Sequence, residues 1–212
     1  MKNYITILAV IAVAFLTSCN IDSKNEYAPQ ISTSYFLKYK IDANATNPIT
    51  AKNAENLDDD IKNADTLAVE NYDPTNDAWT LEGITLDGND PDAKEDIYFS
   101  LGFNSFTNDL ISLKVELEGK DIAELVSYED DKLNLNKLIG ESCTSITADK
   151  EKYELKFKPA YNYGVIPVFY RVKSLPDNKN EETISITITL ESDSRYSPAT
   201  LKLQQKVTKQ QP

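Results

Sequence analysis

The segment of this chain with the most evident chemical potential is Asp87-Gly88-Asn89-Asp90-Pro91-Asp92, with Glu95 and Asp96 close behind. Calcium collects about six to eight oxygens from acidic loops of this kind. Pro91 stands fifth in the segment, which breaks the EF-hand spacing, and Asp-Gly and Asn-Asp-Pro are turn formers. A solvated turn is therefore expected here, and no metal site. Paired carboxylates can also hydrolyse glycosidic bonds. With 34 acidic residues some pair always lies near another, but none sits in a recognisable motif. Histidine is absent, which removes Ser/His/Asp triads, Cys/His dyads and His-bearing zinc sites. No catalytic residue and no cofactor is assigned; the chain reads as one that binds, not as an enzyme.

Aromatic rings are the other candidates, because sugar rings stack on them while polar groups fix orientation. Trp79 is the sole tryptophan, and Tyr161 and Tyr163 flank a turn before an apolar run. These three are the candidate glycan contacts, with ordinary packing as the competing reading. Tyr170 reads as core, and Tyr196 lies further on.

Strands must position such groups. Apolar residues alternate in Ile31–Ile41 (Ile31, Thr33, Tyr35, Leu37, Tyr39 and Ile41 on one face), 96–103, 111–118, 153–157, 183–191 and 201–207, with a less regular run at 79–86. Gly164–Lys173 is apolar on both faces, as a central strand would be. Residues 120–139 place Ile122, Leu125, Val126, Leu133, Leu135 and Leu138 nearer helical spacing, which predicts a short helical insertion. Period two, β-branched residues and intervening turn formers predict a mainly β protein, an antiparallel immunoglobulin-like β-sandwich in one domain over 31–208. Residues 42–78 do not fit that pattern and read as a loose acidic excursion.

The formal charge of −12 is unevenly spread, since residues 42–96 hold 15 acids and 3 lysines. Such a balance argues against nucleic acid as a partner, which needs a basic face.

At the N-terminus, Lys2 precedes an apolar run, Ile5–Leu16, too short to span a bilayer. Leu16-Thr17-Ser18-Cys19 follows, and the whole of 1–19 resembles a bacterial lipoprotein signal. The resemblance implies a signal peptide over 1–18, lipid attachment at Cys19 and a polar tether over 19–30, with the membrane as a partner through the anchor. It leaves Cys143 as the one cysteine of the mature chain, expected to be buried. Asp22 and Glu26 loosely resemble the acidic stretch of surface-exported lipoproteins in Bacteroidetes, so an outer-membrane, possible cell-surface location is expected. Asp65-Thr66-Leu67 resembles the O-glycosylation acceptor of those bacteria, which would modify Thr66.

The C-terminal part, about 126–198, carries Tyr153-Glu-Leu-Lys-Phe-Lys-Pro, then Gly164-Val-Ile-Pro-Val-Phe-Tyr-Arg-Val-Lys-Ser-Leu, then Ile184-Ser-Ile-Thr-Ile-Thr-Leu and Ser192-Asp-Ser-Arg-Tyr-Ser-Pro. It resembles an immunoglobulin-like domain of unassigned function in surface lipoproteins of Bacteroidetes glycan-utilisation systems. The resemblance implies a lipid-anchored envelope protein of a nutrient-uptake system, accessory or glycan-binding, with polysaccharide or other envelope proteins as partners. The alternative is a structural or adhesive, fimbria-like subunit. That role needs an exchangeable edge strand at a terminus, for which Leu201–Val207 is the candidate.

Overall fold

The computed structural model describes residues 27–34, 36–38, 65–119, 121–126, 135 and 139–210. The signal segment, Cys19, most of the tether, residues 42–64 of the acidic excursion and most of the predicted helical insertion lie outside the described residues.

Thirteen strands are described: β1 (Gln30–Thr33), β2 (Phe36–Lys38), β3 (Thr66–Leu67), β4 (Val69–Asp73), β5 (Ala78–Leu86), β6 (Lys94–Asn104), β7 (Leu110–Glu118), β8 (Ala123–Leu125), β9 (Cys143–Ala148), β10 (Lys152–Phe157), β11 (Tyr163–Lys173), β12 (Glu181–Ser192) and β13 (Ala199–Lys209). They form two sheets. The first runs β3-β2-β6-β11-β8, with β1 also paired to β6; the second runs β4-β5-β13-β12-β7-β10-β9. The core between them takes alternate residues from each strand: Phe99 and Leu101 from β6, Val168 and Tyr170 from β11, Leu113 and Val115 from β7, Ile186 and Ile188 from β12. This is the expected mainly β, two-sheet sandwich. Two hydroxyls tie the sheets together. Tyr170 Oη on β11 donates to Gln205 Oε1 on β13 at 2.8 Å, and Tyr153 Oη on β10 donates to the Val126 carbonyl at 2.7 Å.

The structure corrects the sequence reading in four places. First, the sandwich is not wholly antiparallel, because β13 pairs in parallel with β5. Second, β13 is therefore an interior strand, paired antiparallel to β12 on its other side. Leu201–Val207 is no exchangeable edge. Third, Ile31–Ile41 is not one strand with one apolar face. Ile31 lies opposite Phe103 and Leu37 opposite Tyr98, a slip of one residue between β1 and β2. Ser34 marks it, its amide donating to the Ser100 carbonyl at 2.9 Å and its hydroxyl accepting the Ser100 amide at 2.8 Å. A one-residue slip moves every later side chain to the other face. Phe36 consequently enters the core, while Leu37 is buried on the outer face beside Tyr98. Fourth, two segments read as irregular or helical contain strands. Residues 65–78 of the excursion build β3, β4 and the start of β5, and Ala123–Leu125 pairs with β11 as β8. Leu135 and Ile139, further along the predicted insertion, do have helical backbone and are buried in the core.

Candidate functional site: an aromatic end of the first sheet

The outer face of the first sheet changes character along its length. At one end Arg171 grips Asp96 through Nε and Nη2 at 2.6 and 3.1 Å, a bidentate pairing. The next outward row, Leu37, Tyr98 and Phe169, is buried, with the Tyr98 and Phe169 rings 4.8 Å apart. The following rows carry small residues on β1 and β6: Ser34 and Ser100, then Ser32 and Gly102. A Cβ at Gly102 would lie 2.7 Å from Ser32 Oγ, so a larger residue there would force that hydroxyl to turn away.

At the far end the face turns aromatic and open. Asn104, the last residue of β6, sits between Gln30 of β1 and Tyr163 of β11. Tyr163 is 72% exposed and Val165, two residues on, 65%. The chain then turns through Ser105 and Phe106, with the Ser105 amide held by the Asn162 carbonyl at 2.8 Å. Phe106 is 59% exposed, and the Tyr27 ring meets it edge-on at 5.8 Å. Its φ is +34°, a left-handed conformation that favours glycine and strains a bulky residue. In the same turn Asn104 Oδ1 and Ser105 Oγ are buried without a hydrogen-bond partner. An exposed phenylalanine on a strained turn, next in sequence to two unused polar atoms, departs from what packing alone favours.

The three aromatic candidates from the sequence do not form one site. Tyr163 belongs to this end. Tyr161 packs inward: its ring stacks on Phe157 at 4.9 Å, and burial pushes its hydroxyl pKa up. It also faces Tyr163 at 6.5 Å with the ring planes 14° apart, so it backs that residue. Trp79 lies on the second sheet, in the β4–β5 hairpin. It is paired across the strands with Tyr72, the rings 5.3 Å apart and each about half exposed. The Tyr72 hydroxyl donates to Asp77, whose φ of +51° shapes the hairpin turn. That hydrogen bond is the main cause of the raised Tyr72 pKa. Tyr27, Phe106 and Val165 were missed in the sequence. The available signal was Phe106 itself, a lone aromatic inside the polar turn Asn104-Ser105-Phe106-Thr107-Asn108.

Other candidates resolve simply. Asp87 and Asp90 each accept the amide two residues on, at 2.9 Å, so the acidic loop is a pair of side-chain-stabilised turns. It borders an open hollow of 450 Å³. Among the described residues no three Asp, Glu, Cys or His side chains converge in a metal-binding group. Thr66 is exposed on β3. Tyr170 is wholly buried, and Cys143 is a free, buried cysteine with its thiol pKa raised by desolvation.

No family model matches the sequence, and no characterised protein matches it. Solved structures share a coarse likeness. A collagen-binding domain from a Staphylococcus aureus adhesin is 12% identical, with a TM-score of 0.33, over 58% of this chain and 93% of that one. A DUF4466 family protein from Parabacteroides merdae is 8% identical, with a TM-score of 0.33, over 83% of this chain and 43% of that one. Self-complemented MyfA, the major subunit of Myf fimbriae from Yersinia enterocolitica, is 11% identical, with a TM-score of 0.29, over 59% of this chain and 91% of that one. The likeness thus spans less than half of the Parabacteroides protein. The structural neighbours are in the main surface adhesin and fimbrial subunit domains.

Proposed function

We propose that this protein is a non-catalytic, adhesive binding module of the cell envelope, whose ligand face is the aromatic end of the first sheet. One observation carries the reading: exposed Tyr27, Phe106, Tyr163 and Val165 converge on the end of β6, and Phe106 keeps a strained backbone there. An extended polymer could lie along this end, with polysaccharide as the first candidate. Sugar C–H faces stack on aromatic rings. The Trp79–Tyr72 pair is a secondary contact. The signal-like residues 1–19 support attachment through lipid on Cys19, and hence an outer-membrane location. An accessory role in glycan uptake is the narrower form of the same reading.

The test is binding of the full chain to an array of polysaccharides, with Tyr163→Ala and Phe106→Ala beside it. Each variant should weaken binding about tenfold, the loss of one stacking contact worth about 1.5 kcal/mol, with unchanged melting. Binding that ignores both variants, or no polysaccharide bound at all, would remove this face as a glycan site. Incorporation of a labelled fatty acid, lost in Cys19→Ser, tests the anchor.

A further inference from the structure

Each sheet ends in edge strands, and the edges are protected unequally. A free edge presents unpaired amides and carbonyls, which proteins guard with charge, proline, bulges or brevity. β3 has two residues and β8 three, and Glu124 of β8 is held by Lys173 at 2.5 Å and Lys150 at 3.4 Å. β1 has four residues and ends at the Ser34 slip. β4 carries Glu70 and Asp73 and a register shift after Val69.

β9 is different. Cys143-Thr-Ser-Ile-Thr-Ala148 contains no charge and no proline. Its register shift leaves Ser145–Ala148 regularly paired to β10. Among the described residues β9 pairs with no other strand, and Thr144, Ser145 and Thr147 are exposed. Its unpaired amides and carbonyls suit another extended strand.

We propose that the occupant is β9 of a second copy, paired antiparallel about a two-fold axis, so that the two second sheets become one continuous sheet. Two observations favour a copy of this chain. Self-pairing sets an uncharged strand against itself, with no like charges opposed. It also suits the acidic balance. Four acids and no lysine, Glu70, Asp73, Asp77 and Glu82, lie in the hairpin β4–β5, at the opposite edge of this sheet. Joining copies at β9 puts the two hairpins roughly 60 Å apart, from about 4.8 Å per strand, far beyond a Debye length of about 8 Å. Pairing at β4 would instead set Glu70 and Asp73 against their own copies.

Burial restricts the two-fold axis to positions that pass through a residue, and of these Ile146 centres the overlap on 144–148. Ile146 and Ala148 pack against the core, so Ser145 and Thr147 point outward. Opposed residues must share a face, and a two-fold axis through Ile146 places Ser145 of one copy opposite Thr147 of the other. The proposal does not depend on the ligand face described above.

The experiment is native mass spectrometry of the full chain extracted in mild detergent. The natural chain should show two-chain species. Ser145→Lys/Thr147→Lys and Ser145→Glu/Thr147→Glu should each give single chains, with circular dichroism and melting unchanged because both side chains are exposed. Mixing the two variants should restore a two-chain species holding one copy of each. A natural chain found only singly, a ladder of larger assemblies, a lysine variant that still pairs, or a mixture that stays single would each overturn the proposal.

Discussion

Replacing Tyr170 by Phe removes one oxygen from the centre of the sandwich and leaves every apolar contact of the ring in place. Tyr170 is wholly buried, and its hydroxyl donates to Gln205 Oε1 at 2.8 Å. Gln205 is 2% exposed, and its Nε2 donates in turn to the Glu82 carbonyl on β5 at 2.8 Å. The link thus runs from β11 in the first sheet through β13 to β5 in the second. In Tyr170→Phe the Gln205 oxygen stays buried and loses its donor, at a cost of about 1–3 kcal/mol. For a chain of this length about 1 kcal/mol lowers the melting temperature by roughly 2–4 °C, so a cost near the middle of that range, about 2 kcal/mol, lowers it by roughly 4–8 °C.

Gln205→Leu should cost more, because it strands both the Tyr170 hydroxyl and the Glu82 carbonyl. The double variant should cost less than the two single losses together, since Tyr170→Phe removes one of the groups Gln205→Leu strands. A coupling of about 1 kcal/mol or more is expected from a double-mutant cycle in urea. Amide exchange should rise along β5, because Gln205 supports the carbonyl of Glu82 where β5 joins β13. The reasoning fails if Tyr170→Phe melts within a degree of the natural chain, or if the two losses simply add.

Phe106→Gly should stabilise the fold by about 1 kcal/mol, because glycine adopts a φ of +34° without strain, while ligand binding falls; a urea midpoint that drops would contradict it. Gly164→Ala should destabilise by about 1–3 kcal/mol, because the new Cβ would lie 2.3 Å from Tyr161 Oη and 2.7 Å from Phe103 Cζ; thermal melting checks it. Glu124 gives a pH test. Burial raises its pKa, but Lys173 and Lys150 outweigh that and leave it below its ordinary 4.5. A carboxylate with a lowered folded pKa contributes stability that is present above its unfolded value and lost as pH falls through its folded one. The stability difference between the natural chain and Glu124→Gln should therefore hold at neutral pH and shrink below about 4.5; a difference independent of acid would refute it.

The sequence discloses strands where one face is buried and the other wet. β6, β7 and β12 follow their alternation because each sits inside a sheet with one face on the core. It hides strands where burial does not alternate. β4 is exposed at four of its five residues, so no period forms; β9 alternates over 145–148, but Ile146 is its one large apolar residue, too little to read as a strand. β8 is too short to show a period, and Ile122 and Leu125, both buried, fall at a helix-like spacing across a turn and a strand. The slip at Ser34 is invisible because Ile31, Thr33, Tyr35 and Leu37 alternate smoothly through it; only the backbone register reveals that the faces exchange. The parallel pairing of β13 with β5 joins segments over a hundred residues apart, and no local pattern encodes it. Of the aromatic site, Tyr163 was legible. Phe106 was not, because exposure at a turn leaves no periodic trace.

The order of rows on the outer face is what puts the proposed ligand contact at its end. A side chain offers a stacking surface only if its ring is reachable, and the central rings Tyr98 and Phe169 are 7% and 0% exposed. Tyr98 Oη is engaged by Ser100 Oγ at 2.6 Å, which holds that ring in place. Between this row and the aromatic end come Ser34, Ser100, Ser32 and Gly102, whose small size lowers the surface beside Val165 and Tyr163. A polymer lying along the sheet would have depth there and rings to stack on at the end. Substitutions in the two regions should accordingly separate. Truncating Phe169 opens a cavity in a packed layer and costs about 3–5 kcal/mol of stability. Truncating Tyr163, exposed over most of its surface, should leave stability nearly unchanged and weaken the proposed ligand binding.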